Sequence, residues 1–151
     1  MAIRISKKCH YAMRAVFELA LRNSAEPVTV QEIASVQDLP ARFLEAILNE
    51  LRQAGIVVSH RGNAGGYLLA KPPAETTVAE VIEVIQGPIS IARAPDRAHG
   101  AGMYFCGDAA LERLWQRMND SIAGVCLETS FADLVAWEKS SKRTAVPDYS
   151  I

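Results

Sequence analysis

Residues 43–67 read FLEAILNELRQAGIVVSHRGNAGGY, and three changes of pattern inside that stretch decide the fold. Leu44, Ile47, Leu48 and Leu51 recur at the spacing of a helix with one buried face. Gly55 stops that helix. Ile56-Val57-Val58 and Tyr67-Leu68-Leu69 are then two short strand-like runs separated by Ser59 to Gly66, a hairpin with a glycine-built tip that carries Arg61. Gly62, Gly65 and Gly66 do not form a phosphate-cradling loop, because neither GxGxxG nor GxxxxGK is present and no helix start follows them.

Upstream, Ala12, Ala15, Val16, Leu19 and Ala20 form one apolar stripe between about Lys7 and Asn23 and predict a first helix. After Glu26-Pro27, Thr29 and Glu32 have the spacing of a capping box, so a short second helix starts near Val30 and runs through Ile33 and Ala34. Asp38 and Pro40 mark the start of the third, which continues to Ala54. Two helices around a tight turn, followed by an arginine-tipped hairpin, are the order of a winged helix-turn-helix. The outward face of the third helix holds Arg42, Glu45, Ala46, Asn49 and Gln53, polar or small groups of the kind that meets base edges in a major groove. Arg61 on its glycine tip suits the narrow, electronegative minor groove. The same polar face also fits an ordinary solvated helix, and the hairpin that follows tips the reading towards DNA.

Downstream, Thr77 and Glu80 predict a capped helix through Val81, Ile82 and Ile85, ending at Gly87-Pro88. Residues 88–107 are rich in Pro, Ala and Gly and lack periodicity. From Asp108 a long helix carries Leu111, Trp115, Met118, Ile122 and Val125 at heptad spacing, a stripe that calls for a partner helix. Packing on the chain's own domain is the alternative, and Leu114 on the flank suits both. Ser130 and Asp133 cap a last helix through Leu134, Val135 and Trp137, and the tail from Ser140 reads as loosely ordered. The expected fold is mainly α with a small β-hairpin. Its parts are a winged helix-turn-helix domain with a linking helix over 1–87, a sensor-type loop over 88–107, a dimerisation helix and C-terminal helix over 108–139, and a flexible tail over 140–151.

The chain has 151 residues, half of them hydrophobic, enough for one good core with an accessory arm. Its formal charge of −1 hides a split. Residues 1–71 hold nine Lys and Arg against six Asp and Glu, a net +3, while residues 72–151 hold seven against eleven, a net −4. The positive field therefore belongs to the half with the proposed reading elements. Cys9, Cys106 and Cys126 are too few and too scattered for a disulfide framework, which points to a reducing cytoplasm. No run has signal-peptide or membrane-spanning character. His10, His60 and His99 show no motif joining them to a nucleophile, so an enzyme is not expected. A winged domain that binds protein instead of DNA, as an adaptor, is the competing function. The positive half and Arg61 argue against it.

The segment from Leu39 to Pro73, above all SHRGNAGGYLLAKPP, together with ISKKCHYAMRA, LERLW and SFADLV, resembles the Rrf-two (Rrf2) family of bacterial regulators, the IscR, NsrR and CymR type. The resemblance spans most of residues 3–138. It implies winged-helix homodimers that bind palindromic operators in double-stranded DNA, usually as repressors, with a long helix crossing between subunits. By position it places the base-reading helix on Arg42 to Asn49, with Glu45 as a base contact, Phe43 where many members have tyrosine, and the wing arginine on Arg61. Ser6, Lys7, Tyr11 and Thr29 fall where such proteins approach the phosphate backbone.

The sensor departs from the pattern. The resemblance implies three loop cysteines for an iron-sulfur cluster, and here the loop offers only Cys106. A mixed site of Cys9, His10 and Cys106, with His99 or Asp108, is one alternative, since some relatives use the residue at the His10 position. A thiol switch at Cys106, beside a helix N-terminus that lowers a thiol pKa, is the second. The third is a cluster-free regulator that senses a small molecule or protein through the loop and dimer helix. Cys126, far along that helix, reads as buried packing.

Overall fold

The computed structural model describes residues 5–88 and 107–144. Within them the order is α1 (Lys7–Arg22), α2 (Val30–Gln37), α3 (Ala41–Gln53), β1 (Val57–His60), β2 (Gly66–Leu69), a 3-10 turn at Pro73–Glu75, α4 (Val78–Gln86), α5 (Asp108–Glu128) and α6 (Phe131–Thr144). The mainly helical architecture with one antiparallel hairpin follows the expectation.

Each helix begins or ends for a local reason. Thr29 caps α2 and Thr77 caps α4 as full capping boxes, with Glu32 and Glu80 reaching back to the cap amides at 2.8 and 2.9 Å. Ser130 and Asp133 do the same for α6, Ser130 N–H donating to Asp133 at 2.8 Å and Asp133 N–H to Ser130 Oγ at 3.2 Å. Asp38 acts differently from its expected role. It adopts a left-handed conformation, φ 51°, and terminates α2, while Leu39 N–H donates to Ala34 O at 2.9 Å. A short polar side chain tolerates that conformation, so α2 runs on to Gln37 and α3 waits until after Pro40.

The core forms where the stripes of α1, α2 and α3 converge. Ala12, Ala15, Val16, Ile33, Leu44, Ile47, Leu48 and Leu51 are all buried. Burying each of the larger aliphatic side chains contributes about 1.5–3 kcal/mol. The last helix joins the same core, because Phe131 is fully buried in it and Val135 is nearly so. Backbone bonds fix that return: Val78 N–H donates to Thr129 O and Phe131 N–H to Thr76 O, both at 2.9 Å. The sequence pattern places α6 with the long helix, whereas its packing is on α1 and the core of the winged domain. It also continues to Thr144, so residues 140–144 of the expected loose tail are helical.

In the hairpin, Val57 pairs with Leu69, Val58 with Leu68, Ser59 with Tyr67 and His60 with Gly66. The first strand lies slightly later than expected, because Ile56 is buried and accepts from Ala70 N–H at 2.9 Å while its own N–H donates to Leu51 O. A third, single-residue strand went unseen in the sequence. Val28 exchanges both backbone bonds with Tyr67, at 3.0 and 2.8 Å, and ties the hairpin to the start of α2.

Candidate nucleic-acid interface

Four side chains of α3 point into the core, and that fixes the opposite face. Arg42, Phe43, Glu45, Ala46, Asn49 and Gln53 are all exposed, as expected from the helical spacing. Among the described residues, no hydrogen bond or ion pair engages Arg42 or Arg61. Asn49 is not free: its Oδ1 accepts from Arg52 Nη2 at 2.7 Å, which orients the amide along the helix. Lys8 on α1 grips Glu50 of α3 at 2.6 and 2.8 Å, so this lysine clamps α3 instead of standing open.

Ser6 caps α1, its Oγ accepting from Cys9 N–H at 3.1 Å while its own N–H donates to Gln86 Oε1 at 2.8 Å. Lys7 follows it, exposed, and Tyr11 is half-buried against the core. Thr29 is held by Glu32, whose carboxyl stays below its ordinary range because the Thr29 backbone N–H, then its hydroxyl, donate to it and Arg22 stands near. Ser6 and Thr29 thus stand at helix N-termini, where the first amides and the macrodipole favour anions.

At the wing, Arg61 and Gly62 are exposed, and Gly62 has φ 109° in a turn closed by Gly65 N–H donating to Gly62 O at 2.9 Å. Gly65 and Gly66 are half-buried and serve the fold itself. A Cβ on Gly65 would lie 2.6 Å from His60 O, and one on Gly66 would lie 2.5 Å from Val28 O. The glycine tip that the sequence suggested for approach to a sugar-phosphate edge therefore contracts to Arg61, Gly62 and their neighbours.

A buried polar bridge behind α2 escaped the sequence reading. Glu18, only 3% exposed, accepts from Arg22 Nε at 2.7 Å and from Gln37 Nε2 at 2.8 Å, and Gln37 Oε1 accepts from Arg14 Nε at 3.1 Å. A charge out of water persists only when it is paired and hydrogen-bonded. This network holds the C-terminal end of α2, and with it the turn before α3, to α1. The available signal was a glutamate inside the apolar stripe that runs from Ala15 to Leu19.

The proposed pairing stripe is open. Helix α5 has no buried residue over its 21 positions; Leu111 is 51% and Val125 64% exposed, Trp115 and Met118 are exposed, and Ile122 is half-buried. Leu114 on the flank is exposed as well.

Among the described residues, the sensor candidates Cys9 and His10 do not converge. Cys9 is fully buried, and burial pushes its thiol pKa up. His10 lies around the helix from it, exposed, on a shallow groove of about 320 Å³ between α1 and α6 that Met13, Phe17 and Trp137 also line. Adjacent helical residues point about 100° apart, so the thiol and imidazole cannot share one ion without unwinding α1. Cys126 is half-buried, not fully buried as expected, beside the contact of α4 with α5, and burial raises its thiol too. Cys106 and His99 lie outside the described residues, and among the described ones no three His, Cys, Asp or Glu side chains gather as a metal site. No described helix is long and apolar enough to cross a membrane.

Residues 5–137 match the Rrf2 family, described as an iron-dependent transcriptional regulator. A Mycobacterium tuberculosis protein named as an HTH-type transcriptional regulator is 38% identical over 132 residues, 87% of this chain and 81% of that protein. The regulator CymR of Bacillus subtilis is 31% identical over 135 residues, 89% of this chain and 91% of that protein. Among solved structures, that of CymR, the global cysteine regulator of B. subtilis, superposes with a TM-score of 0.79 at 31% identity, covering 90% of this chain and 98% of that one. An IscR structure from T. potens superposes with a TM-score of 0.74 at 29% identity, covering 98% and 95%. These matches are to DNA-binding transcriptional regulators, not to protein adaptors or enzymes. The two described cysteines, apart and buried or half-buried, do not supply the thiolates that a cluster-type iron site needs.

Proposed function

We propose that this chain, which belongs to the Rrf2 family of DNA-binding transcriptional regulators, works as a cytoplasmic homodimer on a palindromic operator and represses from it. The observation that carries the reading is the division of α3, with Leu44, Ile47, Leu48 and Leu51 fully engaged inside and Arg42, Glu45 and Asn49 outside. A helix held so firmly from behind presents its outer face as a rigid reading edge.

In this reading Arg42, Phe43, Glu45, Ala46 and Asn49 enter the major groove, and Arg61, on the turn that Gly62 opens, enters the minor groove. Ser6, Lys7, Tyr11 and Thr29 set the register on phosphates, which positions the protein without reading sequence. Gly65 and Gly66 keep the wing's shape. Leu111, Trp115, Met118, Ile122 and Val125 seal the dimer, which brings two reading heads onto one duplex. The signal enters through residues 88–107 and reaches the heads through α5. Since Cys9 sits in the core, Cys106 and His10 are the sensor residues that remain.

A gel-shift titration on an operator selected from a random duplex library tests the reading. Arg61→Ala is expected to weaken binding by about 1–3 kcal/mol and to flatten the dependence of affinity on salt by about one released counterion per half-site. Unchanged affinity and slope would remove the wing from the mechanism.

A further inference from the structure

On the edge of α3 that begins at Phe43, the chemistry changes from polar to apolar. Phe43 is 63% exposed and takes no part in the hydrophobic core or in the layer packed against it. It is the third residue of α3, and its backbone is fixed, because Phe43 N–H and Leu44 N–H both donate to Pro40 O at 3.1 Å. One turn further along the same edge stands Ala46, exposed and too small to shield the ring. One more turn brings Glu50, whose charge Lys8 neutralises at 2.6 Å. The neighbouring edge, by contrast, runs Arg42, Glu45, Asn49, and carries the hydrogen-bonding groups. The reading face therefore has a hydrogen-bonding strip and, beside it, an edge that is apolar at its N-terminal end, at Phe43 and Ala46, before the Lys8–Glu50 pair.

Base edges in the major groove offer donors and acceptors everywhere and a single apolar group, the 5-methyl of thymine. A phenyl ring has no donor or acceptor for phosphates or for the polar atoms of a base. Left in water it exposes apolar area, and against a methyl both surfaces are dehydrated. We propose that Phe43 reads the 5-methyl group of a thymine, so that each operator half-site carries a T·A pair at a fixed offset from the bases met by Arg42 and Glu45. The inference rests on α3 being the base-reading helix and adds to it the identity of one base and the group by which it is recognised.

The test uses the full chain and a duplex it selects from a random library. Thymines in one half-site are replaced singly by deoxyuridine, which removes only the methyl, and the symmetric pair is then replaced together. One position is expected to lose about three- to fivefold in affinity per methyl removed, with the losses multiplying in the pair. Phe43→Ala, at an exposed position that welcomes alanine in a helix, should bind the thymine duplex as weakly as the wild type binds the deoxyuridine one. It should also no longer distinguish the two. Wild-type affinity within twofold across every replacement, or undiminished methyl sensitivity in Phe43→Ala, would overturn the proposal while leaving DNA binding intact. Failure to select any duplex would overturn the underlying reading of α3 as well.

Discussion

Helices α3 and α5 both carry an apolar stripe and meet opposite fates. Over 13 residues α3 buries four leucine or isoleucine side chains, whereas α5 buries none over 21. The difference teaches that a stripe records the need for a partner and not its address. The stripe of α3 finds α1 and α2 within the same chain, whereas among the described residues α5 packs chiefly on α4 and leaves Leu111, Trp115, Met118 and Val125 exposed. An apolar ridge of that length is the mark of an association surface. The head buries its own stripes, and the rod leaves an apolar face that, under the proposed function, a second copy covers.

Disrupting the rod offers the largest effect. Trp115→Glu with Met118→Glu removes two apolar side chains worth about 1.5–3 kcal/mol each when buried. Sedimentation is expected to show monomers, with operator affinity falling by more than tenfold while the helical signal of the head persists. A dimer unaffected by both charges would assign the stripe to intrachain packing. Phe131→Ala breaks the opposite side of the comparison, since this ring lies in the head although it follows α5 in sequence. A loss of about 3–5 kcal/mol in chemical denaturation is expected from the cavity, and an exposed-site loss under 1 kcal/mol would detach α6 from the head.

Gly66→Ala sharpens the account of the wing. At φ 155°, with Val28 O 2.5 Å from the new methyl, the hairpin must shift. About 1–3 kcal/mol of stability is at stake, read as a lower melting temperature, and an unchanged value would show that the bridge to Val28 is dispensable. The smallest effect lies in the caps. For Glu80, burial acts to raise the pKa, but the Lys71 ammonium at 2.5 Å and the Thr77 amide outweigh it and hold the carboxyl below its ordinary value of 4.5. A depressed folded-state pKa means stability that is complete above about pH 4.5 and lost as pH falls through the lower value. Glu32 and Asp133 shift in the same sense, Asp133 through the Ser130 hydroxyl and amide. Acid melts of Glu80→Gln should therefore show a shallower decline below pH 4.5 than wild type; an identical acid limb would remove Glu80 from the linkage.

Local signals were legible wherever a residue acts on its own neighbours. Thr29 with Glu32, Thr77 with Glu80, and Ser130 with Asp133 announce helix starts because a cap bonds three residues away. The outer face of α3 was readable because helical spacing alone sorts Arg42, Glu45 and Asn49 from Leu44, Ile47 and Leu51. Asp38 was misassigned because a helix stop and a helix start favour the same short polar side chains. Long-range partners left little trace: Val28 shows no sign of pairing with Tyr67, and Gly65 and Gly66 look like any open tip until the backbones they approach are in place.

The chain's own order of residues determined its helices, its hairpin, the arginine at the tip and the faces that must be covered, because caps, periodicity and glycine act over a few residues. Tertiary structure alone decided that Phe131 completes the head, that Glu18 ties α2 to α1 through Gln37, that Cys9 and His10 part company, and that Phe43 is left in water. Each of those outcomes depends on which surfaces meet across tens of residues, where burial and hydrogen-bond satisfaction, not local preference, set the free energy.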